Sequence, residues 1–197
     1  MNYLRFVGEQ ATFVSRKWGK LTVESASFTP ASDGDLVVYI GDISRQERIN
    51  VRIHSECVFS EVFDSNFCDC ADQLQMAMRC LKQTGGILFY LRFDGRGAGL
   101  SAKVKATQLE VQGMNTYDSR VKIGVAPEGR DFSNVGYYLI KRGYRKITLL
   151  TNNPTKEEGL VKAGIDVRRM PLLVDVPNDN VKLLYRTKKE KFGHFIP

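Results

Sequence analysis

The chain is poor in cysteine and poorer in histidine, with four of the first and two of the second in 197 residues. Four cysteines are too few for a disulfide scaffold, and their spacing suits a metal better, so a reducing, cytoplasmic setting is expected. No apolar run approaches the ~20 residues that span a bilayer. Met1-Asn2-Tyr3-Leu4-Arg5 has no signal-peptide layout. There is no internal repeat, low-complexity tract or clear linker. Walker A and dinucleotide fingerprints are absent, and no aromatic-rich nucleic-acid motif accompanies the basic residues.

What remains is an ordinary globular composition, 43% hydrophobic and 26% charged. A chain of this length can bury one good core. The net charge of +7 favours anionic partners. The basic residues are spread out, apart from Arg186-Thr187-Lys188-Lys189-Glu190-Lys191, and such runs are mostly solvated surface. A phosphorylated small molecule is therefore expected rather than nucleic acid.

Three of the cysteines are clustered: Cys57 follows His54-Ser55-Glu56, and Cys68-Asp69-Cys70 comes ten residues later. A Cys-x-Cys pair does not easily form a disulfide with itself but can clamp one metal. Three thiolates leave a fourth tetrahedral position open, the pattern of a catalytic zinc site; His54 as fourth ligand would make a closed structural one. Ser55, Glu56 and Asp69 could supply hydrogen bonds or proton transfer beside the metal. Cys80, in an apolar helical stretch without a nearby partner, reads as a small core hydrophobe.

Strand composition marks Ala11 to Val14, Gly19 to Glu24 and Asp35 to Ile40. Asn50 to His54 alternates, with Val51 and Ile53 on one face and Arg52 and His54 on the other, so Arg52, His54 and Glu56 are expected to line one surface. After Cys70 the period becomes helical through Ala71, Leu74, Met78 and Leu81, and Gly85-Gly86 ends it. A buried strand, Gly86 to Leu91, leads to the turn Asp94-Gly95-Arg96-Gly97-Ala98-Gly99. Helices are predicted from about Ser101 to Val111 and Asp131 to Lys141, a strand at Lys146 to Leu150, and a short helix ending at Gly164. The expectation is a single compact α/β domain over 1–197: a mixed sheet with helices, strand-rich in its first half and alternating in its second.

Three loops could carry chemistry. Asp94 to Gly99 resembles a phosphate-gripping loop, its glycines admitting an anion to backbone N–H groups and Arg96 adding donors; a tight turn explains it equally well. Thr151-Asn152-Asn153-Pro154-Thr155-Lys156 offers a hydroxyl, a helix N-terminus and an ammonium to a phosphate, or is an Asn-Pro turn with a helix cap. In Glu128-Gly129-Arg130-Asp131, Asp131 could cap the following helix, whereas Glu128 and Arg130 have no such local reason and are candidates for function.

Together these pieces resemble the GTP cyclohydrolase II family, the zinc enzymes that begin riboflavin synthesis. The resemblance rests on Gly41-Asp42-Ile43, Arg52 to Cys57, Cys68-Asp69-Cys70, Gln73-Leu74, Gly95-Arg96, Gly99-Leu100, Arg130-Asp131-Phe132, Thr151 to Pro154 with Lys156, and Lys191-Phe192-Gly193-His194. It implies zinc-dependent opening of the guanine imidazole ring of GTP at carbon 8, release of formate, and loss of pyrophosphate with magnesium aiding the phosphate chemistry. It further implies zinc held by Cys57, Cys68 and Cys70, Arg130 acting at the α-phosphate, Glu128 and Glu56 as catalytic carboxylates, and a nucleotide surrounded by Arg52, Gln73, Asp94, Arg96, Thr116, Thr151 and Lys156. A homodimer is what the family suggests.

The sequence departs from the family pattern at several positions. Phe67 stands where the family has arginine, Ala71 where it has glycine, and Phe93-Asp94 where it has Gln-Glu. Thr107 aligns with a functional tyrosine, and Glu128 with an aspartate. The departures suggest specialised purine-derived metabolism and incomplete formate release. The alternative is a non-catalytic guanine-nucleotide-binding protein that keeps fold and zinc. A nucleobase deaminase is disfavoured, because His54-Ser55-Glu56 lacks the Pro-Cys-x-x-Cys half of that signature.

Overall fold

The computed structural model describes residues 5–28, 34–175 and 178–196. Met1 to Leu4, read above for a targeting layout, lie outside them. Seven strands form one mixed sheet in the order β1-β2-β3-β5-β4-β6-β7. The strands are β1 (Arg5–Ser15), β2 (Gly19–Ser27), β3 (Asp35–Ile40), β4 (Ile49–Ser55), β5 (Gly86–Leu91), β6 (Lys146–Leu150) and β7 (Asp166–Met170). β1, β2, β3 and β5 pair antiparallel, whereas β5, β4, β6 and β7 run parallel. This is the expected mixed sheet with its strand-rich first half.

Strand alternation decides what each face packs against. Val51 and Ile53 of β4, Ile87 and Phe89 of β5, and Ile147 and Leu149 of β6 share a core with Val135, Tyr138, Leu139 and Leu160. Those partners come from α5 (Ser133–Lys141) and α6 (Pro154–Lys162); the remaining helices are α1 (Val58–Glu61), α2 (Cys70–Thr84), α3 (Gly99–Val111), α4 (Asp118–Lys122) and the terminal α7 (Asp179–Phe192). On the opposite face Val38, Ile40 and Leu88 meet Met78 and Leu81 of α2. Cys80 is partly buried beside Ala77, Leu150 and Leu172, in keeping with a small hydrophobe.

Gly85 and Gly86 end α2, and a Cβ at Gly86 would lie 2.3 Å from the Asn50 carbonyl oxygen. The helix predicted from Asp131 begins at Ser133, because Asp131 instead accepts the Ser133 N–H at 2.9 Å in a local turn. The sequence pattern missed α1, α4, β7 and α7. Among the described residues no helix is long and apolar enough to cross a membrane. The C-terminal ends of the parallel strands β4, β5 and β6 lead into Glu56-Cys57, Phe93-Asp94 and Thr151, which puts the site in the crevice where open α/β sheets bind ligands.

Candidate active site

Two chain segments bring the thiols together. Cys57 follows β4, and its backbone N–H donates to Glu61 Oε1 at 2.7 Å. Glu61 also binds His54 Nε2 at 2.9 Å and the Tyr90 hydroxyl at 2.7 Å, fixing the turn after β4. Cys68 and Cys70 flank Asp69, a buried carboxylate that accepts from Gln73 at 2.6 Å, Tyr185 at 2.6 Å and Lys188 at 3.0 Å. The Ala71 N–H donates to Ser60 Oγ, tying α2 to α1.

The Sγ atoms of Cys57, Cys68 and Cys70 lie within 4.8 Å of one another, and those of Cys57 and Cys68 are 3.6 Å apart. Tetrahedral zinc with Zn–S near 2.3 Å implies S···S separations of about 3.8 Å, so the cluster fits zinc. Its electrostatics point the same way. Hydrogen bonds from Cys68 and Cys70, with the Lys103 charge, hold the Cys57 thiol far below its usual range. Hydrogen bonding to Cys57 in turn pushes Cys68 and Cys70 up. A divalent cation relieves such a cluster, because it lets all three ionise. His54 is not a fourth ligand: its Nε2 faces Glu61, and its Nδ1 lies 3.5 Å from Arg52 Nη2.

Lys103 is the residue the sequence reading missed. From α3 it donates to Cys57 Sγ at 3.1 Å and to Asp94 Oδ1 at 2.6 Å. Burial alone would lower its pKa, but the Cys57 and Asp94 charges outweigh that and raise it. The available signal was a lysine on the same helix face as Ala106, which is fully buried.

Two cavities meet at the cluster and share Ser55, Cys70 and Arg130 as walls. The larger, about 780 Å³ out to its open mouth, runs from the thiols along Glu56, Phe59, Phe67, Asp94, Arg96 and Lys103 to Thr107, Glu110, Thr116 and Arg120. The smaller is lined by Arg52, His54, Gln73, Thr151, Asn152, Asn153, Lys156, Lys188 and His194. The seven residues expected around a nucleotide thus divide between two adjoining chambers. Asp94, Arg96 and Thr116 face one; Arg52, Gln73, Thr151 and Lys156 face the other.

The smaller chamber is cationic, and among the described residues no carboxylate lines it. Burial first, then Arg52 and Arg130, pushes the Lys156 ammonium well below its usual pKa. Its Nζ donates to the Ile53 carbonyl at 2.9 Å. Burial lowers Arg52 to about 10. His194 is held far down by burial and then by Lys188, Arg96, Lys156 and Arg130, and its Nε2 is buried without a hydrogen-bond partner. Thr151 Oγ1 accepts from the Asn153 N–H while Asn153 caps α6 at Thr155, so this loop is both a helix cap and a chamber wall.

Arg130 stands at the partition. Its Nη1 donates to Ser55 Oγ at 3.2 Å, and its Nε to Glu128 Oε1 at 2.6 Å. Burial would raise the Glu128 pKa, but Arg130 and Arg96 outweigh it and lower it. Glu128 lines neither chamber; it holds Arg130 from behind. Glu56 was expected on one surface with Arg52 and His54. Those two lie buried on the α2 side of the sheet, while Glu56 lies past the strand end in the larger chamber, 3.1 Å from Arg92. Burial raises its pKa despite Arg92.

The turn after β5 is fixed by contacts of its own. Asp94 Oδ1 already takes the Gly95 N–H at 2.7 Å. Arg96 adopts φ 60°, a left-handed conformation that costs a non-glycine residue about 1–2 kcal/mol. Its carbonyl accepts the Gly129 N–H at 3.2 Å, and its guanidinium sits 4.1 Å from the Phe192 ring. A Cβ at Gly97 would press within 3.2 Å of the Gly129 carbonyl oxygen, so only glycine lets the two loops meet. The basic run on α7 is not wholly solvated: Lys188 turns inward to Asp69, while Arg186 pairs with Glu190 at the surface.

The sequence profile of GTP cyclohydrolase II matches residues 8–171. A GTP cyclohydrolase-2 from Psychromonas ingrahamii is 41% identical over 146 residues, covering 74% of this chain and 73% of that one. A GTP cyclohydrolase-2 from Neisseria meningitidis serogroup A is 39% identical over 183 residues, covering 91% of each. A riboflavin biosynthesis protein RibBA from Staphylococcus saprophyticus is 40% identical over 170 residues, 85% of this chain but 42% of that longer protein. With the matches running through the cysteines, the arginine at the partition and the Thr-Asn-Asn-Pro loop, the chain belongs to the GTP cyclohydrolase II family.

Proposed function

We propose that this protein hydrolyses GTP, opening the imidazole ring at carbon 8 and releasing pyrophosphate, with zinc at Cys57, Cys68 and Cys70. The observation that carries this is the juxtaposition of a cation-seeking thiol cluster and an anion-seeking chamber across Arg130. When bound, zinc supplies the Lewis acidity for hydrolysis.

The chain's own residues supply the rest. Lys103 keeps Cys57 ionised. Glu56, its pKa raised by burial, is suited to move a proton beside carbon 8. Arg52, Lys156 and Thr151 receive the phosphates, and Arg130, clamped by Glu128, presents its Nη1 edge at the α-phosphate end. Magnesium would travel on the nucleotide's phosphates, since among the described residues the thiol cluster is the only group of three or more metal-type ligands. The RibBA relatives, named for riboflavin biosynthesis, support assigning this chemistry to that pathway.

Release of formate needs a second, correctly oriented attack. Thr107 lines the larger chamber where the family's tyrosine would stand, and a threonine hydroxyl cannot reach as far as a phenol. Misplacement by ~1 Å can cost about 100-fold. The expected outcome with GTP is therefore pyrophosphate in excess of formate, with a ring-opened formamide accumulating and Thr107→Tyr raising the formate yield. Formate and pyrophosphate released at equal rates by the unmodified protein would return the reading to complete deformylation.

A further inference from the structure

The larger chamber ends, away from the thiols, in a carboxylate and a guanidinium to which no role has yet been given. Glu110 comes from α3 and Arg120 from α4. Glu110 Oε1 accepts from Ser119 Oγ at 2.8 Å and from Arg120 Nη1 at 2.9 Å. Its second oxygen, Oε2, accepts no hydrogen bond among the described residues. Arg120 is 6% exposed, and its Nε is buried with no partner. A carboxylate with an unused acceptor, held by a buried guanidinium, is an incomplete pair. Both side chains line the chamber.

We infer that Glu110 and Arg120 read the Watson–Crick edge of the purine, Glu110 Oε2 accepting from the 2-amino group and the guanidinium donating to O6. This rests on the proposed GTP chemistry and names what selects guanine within it. The spacing fits. Lys103 touches Cys57, and Glu110 lies seven residues further along the same helix, a rise of about 10 Å. Two hydrogen bonds of about 3 Å leave roughly the width of a fused two-ring base between the thiol end and the carboxylate. Phe67 and Leu184 border this end, and both also flank Glu110 and Thr116 in a small adjoining pocket, so apolar faces are available to the ring. Asp94, the neighbouring carboxylate in the chamber, is already occupied by Lys103 and by the Gly95 and Val58 N–H groups.

The test compares kcat/KM of the unmodified protein for GTP, for ITP, which lacks the 2-amino group, and for the triphosphate of 2-aminopurine riboside, which lacks O6 and with it the N1 proton. Each lost hydrogen bond to a charged partner should lower kcat/KM by roughly 10- to 100-fold. In Glu110→Gln the preference for GTP over ITP should shrink to about threefold or less, because the amide nitrogen now faces the 2-amino group. Equal kcat/KM for the three substrates in the unmodified protein would overturn the inference while leaving the hydrolase reading intact. An unchanged GTP-to-ITP ratio in a folded Glu110→Gln protein would do the same. A zinc-loaded protein that opens none of the three rings would overturn the hydrolase reading and this inference together. The substrate comparison needs no variant and can overturn the inference even where Glu110→Gln does not fold.

Discussion

Replacing Lys103 by methionine keeps the length of the side chain and removes one buried charge. In the folded protein that charge lies 3.1 Å from Cys57 Sγ and 2.6 Å from Asp94 Oδ1, with the Lys103 and Asp94 side chains 11% and 10% exposed. A hydrogen bond to a charged group contributes about 1.5–3 kcal/mol, which corresponds to a loss of roughly 10- to 150-fold in zinc affinity. Removing a group that supports a metal ligand typically weakens binding by about 10- to 100-fold, which agrees. Asp94 is also stranded, and breaking a buried pair costs about 3–5 kcal/mol. The Gly95 and Val58 N–H groups still satisfy the carboxylate, which keeps the stability loss toward the lower figure. Zinc affinity would be measured by competition with a chromophoric chelator, on protein shown to be folded by circular dichroism. A folded Lys103→Met protein that binds zinc as tightly as the unmodified one would refute the reasoning.

Arg130→Ala should stop pyrophosphate release by at least about 100-fold while leaving zinc content at one per chain, and Arg130→Lys should recover little, since an ammonium lacks the guanidinium fork; metal analysis and a pyrophosphate assay check both halves. Stability should fall as the pH drops. Burial of His54, and burial with four nearby cations at His194, hold both imidazoles below the unfolded value of about 6.5. Between the folded and unfolded pKa values the unfolded chain binds the extra protons, so stability is full above about pH 6.5 and is lost progressively below it. Urea denaturation at pH 7.5 and 5.5 measures this, and His194→Asn should flatten the dependence.

Much of the site was legible because its chemistry is local in sequence. The alternation of β4 separates Val51 and Ile53 from Arg52 and His54, and the structure buries the two sets on opposite faces. The Cys57, Cys68 and Cys70 spacing marks the thiol cluster that the fold closes. What escaped depends on partners distant in sequence. Lys103 looks like a surface lysine until Cys57 and Asp94 arrive from the ends of β4 and β5. α7 is so polar that its sequence reads as solvated, yet Tyr185 and Lys188 reach Asp69 about 116 residues away. β7 carries Arg168 and Arg169 at the sheet edge, where charge suits an edge strand and hides its pattern. Glu128 has a local reason after all, as the clamp on Arg130 two residues on.

The central claim is that this chain turns GTP over rather than merely holding it. Zinc-loaded protein would be incubated with GTP and magnesium, and the nucleotide products followed by mass spectrometry. The account predicts pyrophosphate together with a monophosphate whose imidazole ring has gained water and opened, with or without loss of formate. GTP bound by the zinc-loaded protein but recovered intact after prolonged incubation would contradict it and leave a nucleotide-binding protein in place of an enzyme.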